Sequence, residues 1–144
     1  MILIFGKKMI QKLYNLKKTQ TEQKLIEKSS LEQEVYKIDE EVGDLNHRIN
    51  TATVEKLGSI SDFMILAMHK DSLRFEVKKL LSKKNQLLKK IDDIFVEIIE
   101  LQKESEQYKY ILDEEREQKR KDALHFEILE SEEFIQSKYI KGKS

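Results

Sequence analysis

From Leu66 to Leu112 the chain holds one heptad register without a break. Leu66, Lys70, Leu73, Val77, Leu80, Lys84, Leu87, Ile91, Ile94, Ile98, Leu101, Ser105, Tyr108 and Leu112 follow one another at alternating steps of three and four. That spacing winds a helix into a left-handed coil against a partner helix, and it leaves no room for strands. Lys70 and Lys84 interrupt the apolar filling; their stems lie along the seam while the ammonium groups reach out, which fixes register at some cost in stability. A second run precedes the first: Leu31, Val35, Ile38, Val42, Leu45, Ile49 and Ala52. Upstream of it the apolar stripe drifts to Met9, Leu13, Leu16, Leu25 and Ile26, which reads as a register shift near residues 20–28 or a looser end. Not one proline occurs in 144 residues, as two long helices require.

Between the two runs lies Lys56-Leu57-Gly58-Ser59-Ile60-Ser61. Gly58 suits the left-handed position after a helix, and Ser59 with Asp62 approximates a capping box. The chain therefore reads as a single domain, 1–144, of all-α class. It is an antiparallel two-helix coiled-coil hairpin with an extended C-terminal helix. Helix 1 is expected over about 7–56, the turn over about 57–61 and helix 2 over about 62–139. Gly43 falls off the seam inside helix 1 and should cost about 1 kcal/mol relative to alanine.

Charge decides between a hairpin and a parallel dimer. Pivoting at residues 58–59 would set position i opposite about 117 − i. Segment 29–50 has six acids and two bases, and its partner 67–88 has six bases and two acids. Segment 7–28 has seven bases and two acids; its partner 89–110 has six acids and four bases. Parallel self-pairing would stack like charges, so the hairpin is favoured.

In this pairing the chain beyond about residue 111 has no partner in helix 1. It opens with Asp113-Glu114-Glu115-Arg116-Glu117-Gln118-Lys119-Arg120-Lys121-Asp122, a charged helix that pairs such as Glu115–Lys119 and Glu117–Lys121 would support. Leu124, Ile128, Ile135 and Tyr139 then recur near one helical face, which Ser131 interrupts. An amphipathic stripe without a partner in its own chain reads as a docking surface, with back-packing on the N-terminal residues or self-association as alternatives. The candidate partner-binding residues are thus Arg116, Lys119, Arg120, Lys121, Leu124, Ile128 and Ile135.

Chemistry is harder to find. Twenty-seven bases balance 27 acids, which argues against a dedicated nucleic-acid binder. There is no cysteine for disulfides, thiol catalysis or thiolate metal sites. Glycines at 6, 43, 58 and 142 are too scattered for a phosphate loop. His47 and His69 could approach across the hairpin, but they read as two solvated side chains. No catalytic, cofactor or metal residue is expected, and the chain reads as a binding protein rather than an enzyme. The apolar start Met1-Ile2-Leu3-Ile4-Phe5 is too short to span a bilayer and lacks a secretory cleavage site; Met9 is an alternative start.

The architecture, a hairpin whose second helix outruns the first with a charged tract, resembles the FliJ family. FliJ proteins are small coiled-coil components of flagellar type III protein export. The stretch from Glu114-Glu115-Arg116 to Lys119-Arg120-Lys121, followed by Ser131-Glu132-Glu133-Phe134, is similar to the C-terminal part of family members. The resemblance implies a stalk and escort that inserts its terminal end into a hexameric export ATPase ring. It also implies links to the export-gate protein and to export chaperones. The chain would then be cytoplasmic, without an integral span, and peripheral at the inner membrane through those partners. Arg116–Lys121 would be the ATPase contact. A structural scaffold that self-associates or joins two partners is the alternative.

Overall fold

A computed structural model describes the backbone of residues 2–53 and 59–142, and side chains from residue 6 onward within those ranges. Two helices account for the fold: α1, Ile2–Thr51, and α2, Ile60–Gly142. They pack antiparallel against each other as an all-α hairpin. Leu57 and Gly58 of the expected turn lie outside the described residues, and α2 already begins at Ile60 within it.

Local chemistry explains where the described helix ends fall. α1 stops at Thr51, about five residues before the expected end near 56, as the sequence turns to Thr51-Ala52-Thr53. β-branched threonine is a poor helix former, and the Thr51 hydroxyl donates to the His47 carbonyl at 2.8 Å. The Ala52 amide closes the last turn on the Arg48 carbonyl at 3.0 Å. At the start of α2 the Ser59 carbonyl accepts from the amides of Asp62 at 3.0 Å and Phe63 at 3.4 Å. Ser59 thus occupies the capping position. Asp62 lies in the first turn, where a carboxylate meets the positive end of the helix dipole.

The structure divides into two compact units, Gln20–Glu100, and Met1–Thr19 with Leu101–Ser144. In the first, Ile38, Leu45, Ile49, Leu73, Leu87, Ile94 and Ile98 are buried. Leu45, Ile49 and Leu73 form one cluster, with Val77 and Leu80 packed against it. Every one of these is a seam residue of the heptad pattern. Among the described residues of the second unit Leu112 is the buried seam residue, flanked by half-buried Leu101, Ser105, Tyr108 and Glu115.

The expected register shift near residues 20–28 does not occur. Tyr14, Lys17, Thr21, Lys24 and Lys28 are half-buried in phase with Leu31 and Val35, so the seam runs on with lysine in place of leucine. Leu16, Leu25 and Ile26, which had suggested a drift, are exposed. Acids on the other helix make this filling tolerable. Lys24 Nζ lies 2.9 Å from Glu97, and Lys28 sits 5.4 Å over the Phe95 ring. In the other unit Lys17 Nζ lies 2.6 Å from Glu104. Lys84, interrupting α2, reaches Asp39 at 2.6 Å.

These contacts also correct the pairing. Lys17 meets Glu104, Lys24 meets Glu97 and Asp39 meets Lys84, so position i faces about 122 − i, not 117 − i. The physical reason is phase. The two seams face each other only when a seam residue of α1 meets one of α2, as Ile49 meets Leu73; pairing at 117 would set Leu45 against Ser72, which is exposed. Seam phase overrides a pivot placed on the glycine. Gly43 lies in α1 with nothing near its missing Cβ, so it makes no close approach there.

Candidate functional site

With the corrected phase, the cover that α1 gives to α2 extends beyond residue 111. Leu112 is buried and Glu115 half-buried; from Arg116 to Gly142 every residue is exposed. All seven candidate partner-binding residues lie in this exposed stretch.

The four basic candidates differ in their surroundings. Arg120 is clamped by Glu117 one turn earlier: its Nε donates to one carboxylate oxygen at 3.2 Å and an Nη to the other at 2.7 Å. This i,i+3 fork stands where an i,i+4 Glu117–Lys121 pair was expected. Arg120, and more weakly Lys121, hold the Glu117 carboxyl below its ordinary value, and Glu117 raises the Arg120 guanidinium above its own. The Gln118 amide donates to Asp122 at 3.0 Å, and the Tyr110 hydroxyl donates to Glu114 at 2.8 Å. Lys119 is turned toward Lys7 of α1, and this neighbouring cation lowers the Lys7 ammonium below its ordinary value; Glu115 opposes the effect. Arg116 and Lys121 are exposed.

Lys7, Lys8, Gln11, Glu115, Gln118, Lys119 and Asp122 line a groove of about 600 Å³. One oxygen of Glu115 is buried there without a hydrogen-bond partner. The reading from sequence missed this groove because its pairing placed Lys7 near Tyr110 rather than Glu115. Phase was the available signal.

Beyond the charged tract, Leu124, Ile128 and Ile135 are exposed at 50%, 49% and 66%, too open for any of them to count as core. They share one face of α2 with Tyr139. On a neighbouring face the Lys138 ammonium lies 5.9 Å from the Phe134 ring. A second apolar surface was missed entirely: Ile60, Phe63, Met64, Ile65, Met68 and Phe75 at the start of α2 are all exposed. Its signal was the run Ile60-Ser61-Asp62-Phe63-Met64-Ile65-Leu66-Ala67-Met68, apolar well beyond what one seam needs.

His47 and His69 are exposed, and the described residues contain no group of three or more side chains suited to hold a metal ion. No described helix is long and apolar enough to cross a membrane. Two further grooves are bounded largely by charged side chains, one of them by Glu41, Asp44, Arg48, Glu76 and Lys79. No protein-family model, curated protein or solved structure matches this chain.

Proposed function

We propose that the chain is a non-enzymatic binding protein that presents the exposed end of α2 to a partner, and that this partner is the hexameric ATPase of a flagellar-type export apparatus. One observation carries the binding role. From Arg116 to Gly142 the helix is exposed throughout, yet it keeps an apolar stripe at helical spacing. Helices of this kind dock by laying that stripe into a groove on another protein. The ATPase, with the export gate and export chaperones as further partners, comes from the resemblance to FliJ. Arg116 and Lys121 are the basic side chains best placed to reach acidic residues on such a ring. Arg120 would have to leave Glu117.

The test is affinity for a purified export ATPase. Reversing Arg116 and Lys121 to glutamate should weaken binding at least about tenfold, since each lost charge contact at an interface rim slows association and removes some affinity. Unchanged binding would sink the ATPase assignment.

A second reading, a self-associating scaffold, is favoured by a separate observation. The start of α2 carries its own exposed apolar surface, from Ile60 to Phe75, which a stalk docking through its other end does not need. Sedimentation of the purified chain across a concentration series separates the two readings.

A further inference from the structure

We propose that a second copy of this chain covers both exposed surfaces of α2: the start of α2 in one copy, residues 60–75, packs antiparallel on the end of α2 in the other, residues 124–139. The proposal rests on the self-associating reading and gives it a register.

Spacing comes first. Along the start of α2 the outward face runs through Ile60, Met64, Met68, Asp71 and Phe75, in steps of four, four, three and four. Along its end the face runs through Leu124, Ile128, Ser131, Ile135 and Tyr139, in steps of four, three, four and four. Read in opposite directions, the two patterns are identical. Antiparallel pairing therefore sets Ile60 against Tyr139, Met64 against Ile135 and Phe75 against Leu124 in one phase, as knobs-into-holes packing demands. Neither stripe matches itself when antiparallel, because reversal puts its three-residue step out of place. All eight large apolar side chains in the two stripes are exposed within one copy.

Charge then selects among the pairings that spacing allows. Each stripe could pair with itself in parallel, but flanking positions would then repel: Arg74 would face Lys79 in one case and Glu127 would face Glu132 in the other. In the antiparallel pairing of start with end, Arg74 flanks the seam beside Glu127. Among the described residues Arg74 pairs locally with exposed Asp71 at 3.0 Å, and its guanidinium has further donors for a second acid. The end segment has four acids, Glu127, Glu130, Glu132 and Glu133, against the single base Lys138; copies of it would repel one another. The start segment, with two acids and two bases, offers no such repulsion. Asp71 opposite Ile128 and Ser131 opposite Met68 are the imperfect positions, and they make the association weaker than an all-apolar seam would be.

Because the chain has no cysteine, site-directed cross-linking reads the register directly. Met64→Cys and Ile135→Cys variants of the full chain are mixed at equal concentration under mild oxidation. Disulfide-linked pairs joining position 64 to position 135 should form about tenfold faster than pairs of either variant with itself, since only facing positions bring the thiols within bonding range. In sedimentation, Arg74→Glu should weaken association about threefold to tenfold, and adding Glu127→Arg should restore it. Both positions are exposed, so helicity by circular dichroism should be unchanged in these variants. Association that persists without the 64–135 cross-link overturns this pairing and leaves the self-associating reading intact. A chain that stays monomeric at every concentration overturns both.

Discussion

Two stretches of α1 share one heptad phase but fill it differently. From residue 31 to 52 the seam is Leu31, Val35, Ile38, Val42, Leu45, Ile49 and Ala52, and three of these are buried against α2. From residue 14 to 28 it is Tyr14, Lys17, Thr21, Lys24 and Lys28, and none is fully buried. The first stretch removes apolar surface from water, the dominant favourable contribution to folding. The second aims ammonium groups at acids on α2, through Lys17–Glu104 and Lys24–Glu97. Exposed ion pairs of this sort add little stability, but each wrong register would strand them beside the wrong neighbour. One stretch holds the helices together, and the other specifies how they align.

The sharpest way to break this contrast is to compare two isoleucines. Ile38 is 5% exposed on the seam; Ile26 is 70% exposed beside it. Ile38→Ala should destabilise the chain by about 2–4 kcal/mol, the range for a buried aliphatic side chain cut back to a methyl. Ile26→Ala should change stability by less than about 0.5 kcal/mol. Urea denaturation followed by circular dichroism gives both values. A large loss at Ile26 would mean that the apolar drift seen in the sequence is the true seam and that the lysines are bystanders.

That drift also marks the boundary of what the sequence made legible. For α2 the register could be written residue by residue from Leu66 to Leu112, and each of those positions is buried or half-buried. It was readable because leucine, isoleucine and valine fill most of it. In α1 the same period passed through Lys17, Lys24 and Lys28, and a search for apolar recurrence counts a lysine as a gap although its stem packs like an aliphatic chain. The acids at Glu97 and Glu104 were the signal that those lysines face α2. Pairing was displaced for a related reason: a pivot on Gly58 fixes only the loop, whereas matching Ile49 to Leu73 fixes phase. Of the candidate surface, the exposed stripe at Leu124, Ile128 and Ile135 followed from periodicity. The exposed apolar run at Ile60–Met68 did not, because attention to leftover chain length favours the far end of α2. The Glu117–Arg120 fork could not be chosen from sequence, since i,i+3 and i,i+4 partners compete on one helix face.

Converting the lysine stretch into the apolar one sharpens the comparison. Lys24→Leu should raise stability by about 1 kcal/mol, because a half-buried seam position gains apolar contact and gives up only exposed ion pairs with Glu97 and Glu27. Its second effect should be a loss of uniqueness. An apolar residue there no longer penalises slipped or intermolecular pairings, so the variant should populate higher-order species in sedimentation at concentrations where the parent does not. Greater stability with unchanged association would show that Lys24 has no part in choosing the register.

The smallest expected effect is the share of the alkaline pH dependence that the lysine stretch supplies. Lys17 is raised above its ordinary value of 10.5, first by its hydrogen bond to Glu104, and Lys24 is raised by its bond to Glu97 with help from Glu27. A lysine whose folded-state value exceeds its unfolded one contributes stability that is fully present below the unfolded value. That contribution is lost as pH rises through the folded value, so the window opens near 10.5 and extends upward. The melting temperature should therefore hold between neutral pH and about 10 and fall above it. In Lys17→Met/Lys24→Met the fall should be shallower, because uncharged side chains fill the same seam positions without a proton to lose. Tyr36, whose hydroxyl is held above its ordinary value by Glu40, is common to parent and variant, so the 31–52 stretch should not contribute to the difference between them. Equal alkaline slopes would place the titrating groups elsewhere and remove the lysines from the alignment role assigned to them.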